Sequence, residues 1–421
     1  MIDIKLLRET PDIVRDSLSK RFIQLDIDTI IDLDKQRREK IQIADELKKR
    51  KNDASKAIGR LKREGKDPGD LMEDMKDVSN RIKAIDTEVG DLTANIAELL
   101  AVIPNIPHET VPIGIKGEAH RLIREGGAKP EFTFEPVPSF ELARRLGLID
   151  FEAAARMSGA GFVIFRGVGA RLARALINFM LDLHTREHGY TEVSPPLMVN
   201  RKSMTGTGQL PKLENDMYRC EQDDLFFIPT AEVPLVNIHR EEILDGNILP
   251  ISYVASSPCF RREAGSYGKE TRGIVRIHQF DKVELVKFTL PGKSYDELER
   301  MLSDAEKVIR LLGIPYRIME LPAGEISFAS AKTYDIEVWS PARARYLEVS
   351  SVSNCGDFQA RRAEIRYKKD GEKGFVHTLN ASGVALPRTI VAILENCQRE
   401  DGTVSVPDVL LPYMGGIEVL Q

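Results

Sequence analysis

"FRREAGSYGKETRGIVRIHQFDKVEL", Phe260 to Leu285, sets two arginines and a glutamate ahead of a glycine-rich cationic loop and ends on an alternating apolar and polar run. If "HQFDKVEL" is a strand, Phe280 and Glu284 are four residues apart and project from one face of it. A flat aromatic can stack on a base, and a carboxylate beside it can hold an ammonium group. Arg261 and Arg262 precede the loop, while Arg272 and Arg276 follow it. Guanidinium groups grip phosphate oxygens in a two-point fork and stay charged. Gly265, Gly268 and Gly273 allow the loop to bend or to approach a ligand closely. A surface hairpin laced with ion pairs would account for the glycines and charges, but not for Phe280 and Glu284 sharing a face.

The surrounding chain is consistent with a half-buried antiparallel sheet. Short alternating runs, "ISYVASSPCF", "HQFDKVELVKF", "KTYDIEVWS" and "YLEVSSVSN", read as strands, and "TEVSPPLMV" as a strand broken by two prolines. Apolar spacings of three and four in "FELARRLGLID", "GARLARALINFMLDLHTREHGY" and "ALPRTIVAILENCQ" read as helices. No run of βαβ units is present, which argues against a doubly wound dinucleotide fold. The expected class is α+β: an antiparallel sheet with helices on one face, carrying an N-terminal helical arm.

The arm rests on a heptad. Leu71, Met75, Val78, Ile82, Ile85, Val89, Leu92, Ile96 and Leu99 form an unbroken 4,3 series, the seam of a coiled coil. A weaker series precedes it at Ile30, Leu33, Ala44, Leu47, Ala54, Ile58 and Leu61, with Arg37, Lys40 and Lys51 at intervening core-phase positions. Between them "REGKDPGD" stops one helix and starts another, so the prediction is an antiparallel hairpin. Residues 35 to 66 hold thirteen Lys or Arg against five Asp or Glu, whereas residues 71 to 99 hold three against seven. A solvated surface with interhelical ion pairs, a basic ridge following nucleic-acid phosphates, and a protein-docking arm all suit that division. The heptads end at "AVIPNIPHETVPIG", which places a boundary near residue 106 and an extended connector over 107 to 140.

With 421 residues the chain has room for two or three domains, and no apolar run approaches the ~20 residues of a membrane span. Mean hydropathy is -0.25 and 30% of residues are charged. "MIDIKLLRETPDIVRDSL" carries no export signal, and Cys220, Cys259, Cys355 and Cys397 are widely spaced without a Cys-x-x-Cys pair, so free thiols and a cytoplasmic location are expected. The net charge of -5 would disfavour nucleic acid only if it were evenly spread.

Weaker motifs fall to plainer explanations. His184 and His188 in "HTREH" lack the glutamate of a zinc motif and are expected to pack or face solvent. "SGAGFVIFRGVGA" has neither the phosphate-loop lysine nor the strand–turn–helix order of a dinucleotide fingerprint, so it reads as turns. A nucleophilic serine has no G-x-S-x-G support. "EVSS", Glu348 to Ser351, offers a carboxylate and a hydroxyl three residues apart, hard oxygens that suit Mg²⁺ beside phosphates. "NASGVALPR", Asn380 to Arg388, leads into a helix, where Arg388 could hold a terminal phosphate.

In this order the pieces resemble the seryl-tRNA synthetases of the common, zinc-independent type over essentially the whole chain. "HGYTEVSPPLMVN" is similar to the first class II motif, the stretch from Phe260 to Leu285 to the second, "NASGVALPR" to the third, and "IPTAEVPL" to the substrate loop. The resemblance implies an N-terminal tRNA-binding domain over 1 to 106 and a class II catalytic domain over 107 to 421. It implies that Thr230, Ala231, Glu232 and Ser382 line a serine site where Glu284 binds the ammonium group. Arg261 would hold the α-phosphate with the amino-acid carboxylate, Glu263 would sit near adenine with Arg262 alongside, Phe280 would stack on it, and Arg388 would bind the γ-phosphate. Glu348 and Ser351 match the Mg²⁺ positions, with Val349 and Ser350 between them in the nucleotide site. Arg261, Glu284 and Arg388 are the expected catalytic set. Lys48, Lys49 and Arg50 are the arm cations expected to meet tRNA. The implied partners are L-serine, ATP, tRNA(Ser), tRNA(Sec) where it exists, and a second copy of the chain, with neither DNA nor membrane. The sequence departs from the commonest bacterial pattern at Arg262, Lys269, Glu270, Ala381 and Pro387. A relative that loads a carrier protein would be expected to lack the arm, and a regulator that kept only the fold should have lost Arg261, Glu284 or Arg388.

Overall fold

A computed structural model of the chain describes residues 1–115, 117–264 and 273–421. Gly265, Gly268, Lys269, Glu270 and Arg272 therefore lie outside the described residues. Two compact units emerge: one comprises 2–19 and 23–103, the other Met1, 20–22 and 104–421.

The smaller unit is built on two long helices, α1 (Asp28–Arg63) and α2 (Gly69–Ala101). At 1.5 Å per residue they run for about 54 and 50 Å. Met75, Val78, Ile82 and Ile85 of α2 are buried, as are Ile30, Ala44 and Ala54 of α1. The strict 4,3 series gives way after Ile96, where Leu100 is buried and Leu99 half-buried. A helix of 3.6 residues per turn drifts from a seven-residue repeat, so the seam moves round by one position. The turn closes in a Schellman pattern: Lys66 N–H donates to Leu61 O at 3.0 Å and Gly65 N–H to Lys62 O at 3.3 Å. Gly65 has φ +71°, a conformation open to glycine at little cost. At the base of the arm Asp34 is fully buried and accepts from Arg8, Arg37 and Arg38.

The larger unit is organised by an eight-stranded sheet. In chain order its strands are β1 (Arg121–Gly126), β2 (Thr191–Glu192), β3 (Ile251–Phe260), β4 (Gln279–Thr289), β5 (Tyr316–Glu320), β6 (Lys332–Ser340), β7 (Arg345–Asn354) and β8 (His377–Ala385). The spatial order is β1-β5-β6-β7-β8-β4-β3-β2, antiparallel throughout except for the β2–β3 pair at one edge. Val283 and Leu285 of β4 join the main apolar core with α3 (Gly167–Arg186), α4 (Ser294–Leu311) and α5 (Leu386–Asn396). Alternation then sends Phe280, Lys282 and Glu284 to the opposite face. Further along that face, Val286 and Phe288 pack with Ala231, Leu235 and Ala360 in a second core. The site is thus a polar hollow on a sheet whose reverse side is sealed by helices.

The "SGAGFVIFRGVGA" segment turns only in its first part, before a two-residue strand, Ile164–Phe165; its last four residues, expected as a turn, instead open helix α3 at Gly167. Gly161 has φ +85°, and a Cβ there would meet the His278 ring at 2.3 Å. This close approach lets Gly161 O accept from His278 N–H at 2.8 Å, fixing the start of β4. The four cysteines are free thiols, and no described helix is long and apolar enough to cross a membrane.

Candidate active site

Two adjoining hollows open on this face. One, of about 330 Å³, is lined by Thr230, Glu232, Arg261, Lys282, Glu284, Ser351, Asn380 and Ser382 among others. The second, of about 250 Å³, is lined by Arg261, Glu263, Arg276, Phe280, Glu348, Val349, Pro387 and Arg388 among others. Arg261, Lys282, Glu348 and Ser382 belong to both walls and so stand at the junction.

Strand register explains the first hollow. Glu284 lies opposite Ser382 on β8 and Ala255 on β3. Lys282, two residues before Glu284 and on the same face, makes a short ion pair with it. Burial pushes the Glu284 carboxyl above its ordinary value, while Lys282 and the Thr230 hydroxyl pull it back. Glu232 opens a short helix, Glu232–Asn237, and keeps some solvent contact through the hollow, although protein packs densely about its carboxyl. Burial first, then the negative charge of Glu284, raises the Glu232 pKa to about 7, against the N–H that Gln359 donates to it. Gln359 Nε2 donates to Glu232 Oε1 at 2.6 Å, and Asn380 Nδ2 to the same oxygen at 3.1 Å.

In the second hollow Phe280 faces the space, with the Arg261 guanidinium 5.3 Å from its ring centroid. The Arg261 main chain is pinned at both ends: its N–H donates to His278 O at 2.9 Å, and its carbonyl accepts from His278 Nδ1 at 3.0 Å. Glu263 takes φ +51° and pairs with Arg276 at 3.2 Å. A left-handed non-glycine residue in a hollow is the kind of local strain that functional loops carry.

Glu348, Ser351 and Arg388 form a connected set. Arg388 Nη1 donates to Glu348 O at 2.9 Å and lies 3.2 Å from Glu348 Oε2. Ser351 donates to Asp335 Oδ1 at 2.6 Å and stands 3.3 Å from Glu348 Oε1. Asp335 is directly opposite Ser351 in the β6–β7 register. Burial, with Glu348 nearby, pushes the Asp335 carboxyl well above the usual range. Among the described residues no group of three His, Cys, Asp or Glu forms a ready metal cage.

Three sequence-predicted residues have side chains elsewhere. Ala231 is fully buried in the second apolar core, so it contributes no side chain to the hollow. The Ser350 hydroxyl donates to Ser382 O at 2.5 Å and ties β7 to β8. Arg262 lies over the Tyr218 ring, 5.7 Å from its centroid. Ala381 is buried in the main core, and Pro387 falls in the first turn of α5, where a missing N–H costs nothing. Lys282, Asp335, Gln359 and Asn380 escaped the sequence reading. Lys282 had a usable signal, since it alternates with Phe280 and Glu284, and so did Asn380, two residues before Ser382 in "NASGVALPR"; Asp335 and Gln359 reach the site through long-range pairing. His184 is fully buried, 3.0 Å from His188 through their Nδ1 atoms, and burial holds its pKa down to about 3, in keeping with packing.

In the helical unit Lys48 pairs with Asp86 at 2.9 Å and Arg50 with Asp74 at 2.5 Å, both across the hairpin. Lys49 and Arg50 line a shallow depression with Glu46, Asp53 and Met75.

Comparison with known proteins gives a consistent result. Residues 1–107 match the family model of the seryl-tRNA synthetase N-terminal domain, and residues 218–397 match that of the class II tRNA synthetase core domain (G, H, P, S and T). A serine–tRNA ligase of Caldanaerobacter subterraneus subsp. tengcongensis is 54% identical over 98% of both chains. Among solved structures, the seryl-tRNA synthetase from Pyrococcus horikoshii complexed with ATP is 38% identical with TM-score 0.94, covering 100% of this chain and 99% of that one. The cytoplasmic serine–tRNA ligase from Naegleria fowleri in complex with AMP is 31% identical with TM-score 0.89, at the same coverage.

Proposed function

The chain belongs to the seryl-tRNA synthetase family and is a serine–tRNA ligase, and we propose that it works in two steps, through seryl-adenylate and then transfer to the 3′ end of tRNA(Ser). The observation that carries this reading is the pair of hollows joined at Arg261. L-Serine would occupy the first, with its ammonium on Glu284 and its hydroxyl toward Glu232. ATP would occupy the second, with adenine against Phe280 and near Glu263, and the terminal phosphates toward Arg388. Arg261 would then bridge the serine carboxylate and the α-phosphate. The ATP and AMP complexes of the two similar structures support a nucleotide as a ligand of this chain.

The serine carboxylate oxygen attacks the α-phosphorus in line, the bond to the bridging oxygen breaks, and pyrophosphate leaves. A ribose hydroxyl of tRNA then attacks the acyl carbon and AMP departs. The chain's contribution is alignment and fixed positive charge where charge develops. Lys282, held against Glu284, works against the burial that raises the carboxyl pKa and so favours the charged form that an ammonium ligand needs. Glu348 and Ser351 supply two hard oxygens suited to Mg²⁺: Ser351 gives its hydrogen to Asp335, leaving its lone pairs for a cation. A bound Mg²⁺ would neutralise phosphate charge there, with phosphates and waters completing its shell.

The division at residue 106, the tRNA-binding role of the arm, use of tRNA(Sec), a homodimer and a cytoplasmic location complete the proposal. ATP–pyrophosphate exchange across the amino-acid panel, without tRNA, tests it. Exchange with serine alone upholds the adenylate step, and no exchange from folded protein removes it.

A further inference from the structure

Glu232 has two carboxyl oxygens, and the fold treats them differently. Oε1 accepts two amide N–H groups, from Gln359 at 2.6 Å and Asn380 at 3.1 Å. Gln359 is itself fully buried and locked. Its Nε2 donates to the backbone carbonyl of Thr207 at 3.2 Å, and its Oε1 accepts from Thr378 Oγ1 at 2.7 Å. A backbone carbonyl can only accept, so the nitrogen must face Thr207, and the remaining amide hydrogen must face Glu232. Gln359 therefore donates to Glu232 in every protonation state. Any proton that Glu232 takes up sits on Oε2, and Oε2 is the oxygen left for the hollow.

We propose that Gln359, oriented by Thr378 and the Thr207 carbonyl, is the positioning residue that decides which Glu232 oxygen meets the substrate hydroxyl, and so sets discrimination of serine from alanine. This rests on the reading of the first hollow as a serine site. Gln359 touches no substrate in this scheme. It acts by denying Glu232 a rotation about its terminal torsion, a broad, soft one when nothing holds it. A site built to pair a hydroxyl rejects the analogue lacking it because its own polar group is then left unpaired. That penalty is largest when the group cannot turn to another partner.

Gln359→Met keeps the volume and removes all three amide contacts, to Glu232, Thr207 and Thr378. Thr378→Val removes the hydroxyl that orients Gln359 at nearly constant shape, and Thr378→Ser keeps it. Pyrophosphate exchange is measured with serine and with alanine at saturating ATP, and with ATP varied at saturating serine. Gln359→Met is expected to raise the serine KM and lower the serine-to-alanine ratio of kcat/KM by about ten-fold or more, with the ATP KM unchanged. Thr378→Val should shift the ratio in the same direction by less, and Thr378→Ser should restore it. If Gln359→Met does not fold, the Thr378 pair carries the test alone. An unchanged ratio in folded variants overturns the proposal while wild-type serine exchange still upholds the site. Equal losses with both amino acids together with a higher ATP KM also overturn it, since they mark a general structural role. Absence of serine exchange in the wild type removes the site reading and this inference with it.

Discussion

Arg388 closes on Glu348 twice, donating to its backbone oxygen at 2.9 Å and lying 3.2 Å from its carboxylate. The residue proposed for the γ-phosphate thus stands against a proposed Mg²⁺ ligand, each neutralising the other. Loading with Mg²⁺ and ATP would exchange one mixed pair for two better ones, carboxylate with metal and guanidinium with phosphate. Arg388→Lys keeps a charge but loses the planar fork, and is expected to cut the exchange rate about 10²-fold. Wild-type exchange kinetics in that variant would remove Arg388 from the phosphate site.

Glu232 gives a pH prediction. Its pKa is raised from 4.5 to about 7 by burial and by Glu284, against Lys282, Arg261 and the Gln359 N–H; Cys355 is the other titratable group beside it. A raised carboxyl pKa means that the folded state holds the proton more tightly than the unfolded chain. Its contribution is therefore full below about pH 4.5 and is lost as pH rises through 7. Glu232→Gln accepts the same two N–H groups without the charge. It should unfold at higher denaturant than wild type at pH 8, by up to about 3 kcal/mol, with little difference at pH 4.5. It should also lose serine affinity, the exchange of stability for function that active sites show. A pH-independent stability difference would remove the buried-charge explanation.

The sheet and the hairpin were legible because both write a period into the chain. Phe280 and Glu284 fall on one face, as alternation requires, and the seam from Met75 to Ile85 is buried as the heptad requires. Roles carried by local motifs, such as Arg261, Arg388 and Glu348, could be proposed from those motifs alone. What stayed hidden depends on register between distant strands and helices. Asp335 meets Ser351 across β6 and β7, and Gln359 reaches Glu232 from 127 residues away. No spacing in the sequence encodes either meeting. Ser350 and Ala231 misled for the opposite reason: they sit inside motifs, yet alternation and burial turn their side chains to β8 and to the second core.

Asp34 is expected to hold the base of the arm. Burial alone would raise its pKa, but hydrogen bonds and charge from Arg8 and Arg37 outweigh it and leave the pKa lowered. Its contribution is therefore present above the ordinary aspartate range and is lost as pH falls through the depressed value. Asp34→Ala strands the three arginines together, and a loss of about 3 kcal/mol in the helical unit is expected. Amide exchange over residues 28 to 63 should quicken while serine-dependent pyrophosphate exchange stays at the wild-type rate. Unaltered amide exchange would show that the arginines find other partners.

The arm cations give the last prediction, because the structure supplies both rival explanations with material. Lys48 and Arg50 are paired across the hairpin with Asp86 and Asp74, as a solvated coiled-coil surface would have them. All four side chains are about half exposed, and such pairs are worth only about 0 to 1 kcal/mol each. Phosphates could therefore take these cations at little cost. Reversing Lys48, Lys49 and Arg50 to glutamate would remove phosphate partners but would also set like charges against Asp74 and Asp86. A second variant separates the two effects: Asp74→Asn with Asp86→Asn breaks the same pairs and leaves the cations in place. If the ridge follows phosphates, the triple reversal raises the tRNA KM about ten-fold or more and flattens its salt dependence, since each lost phosphate contact removes a slope of about 0.7 to 0.9. The aspartate pair should hold or lower the tRNA KM, and serine activation should not change in either variant. Equal KM increases in both variants would return these residues to hairpin stability, and an unchanged KM in the triple reversal at low and moderate salt would leave the ridge a solvated surface.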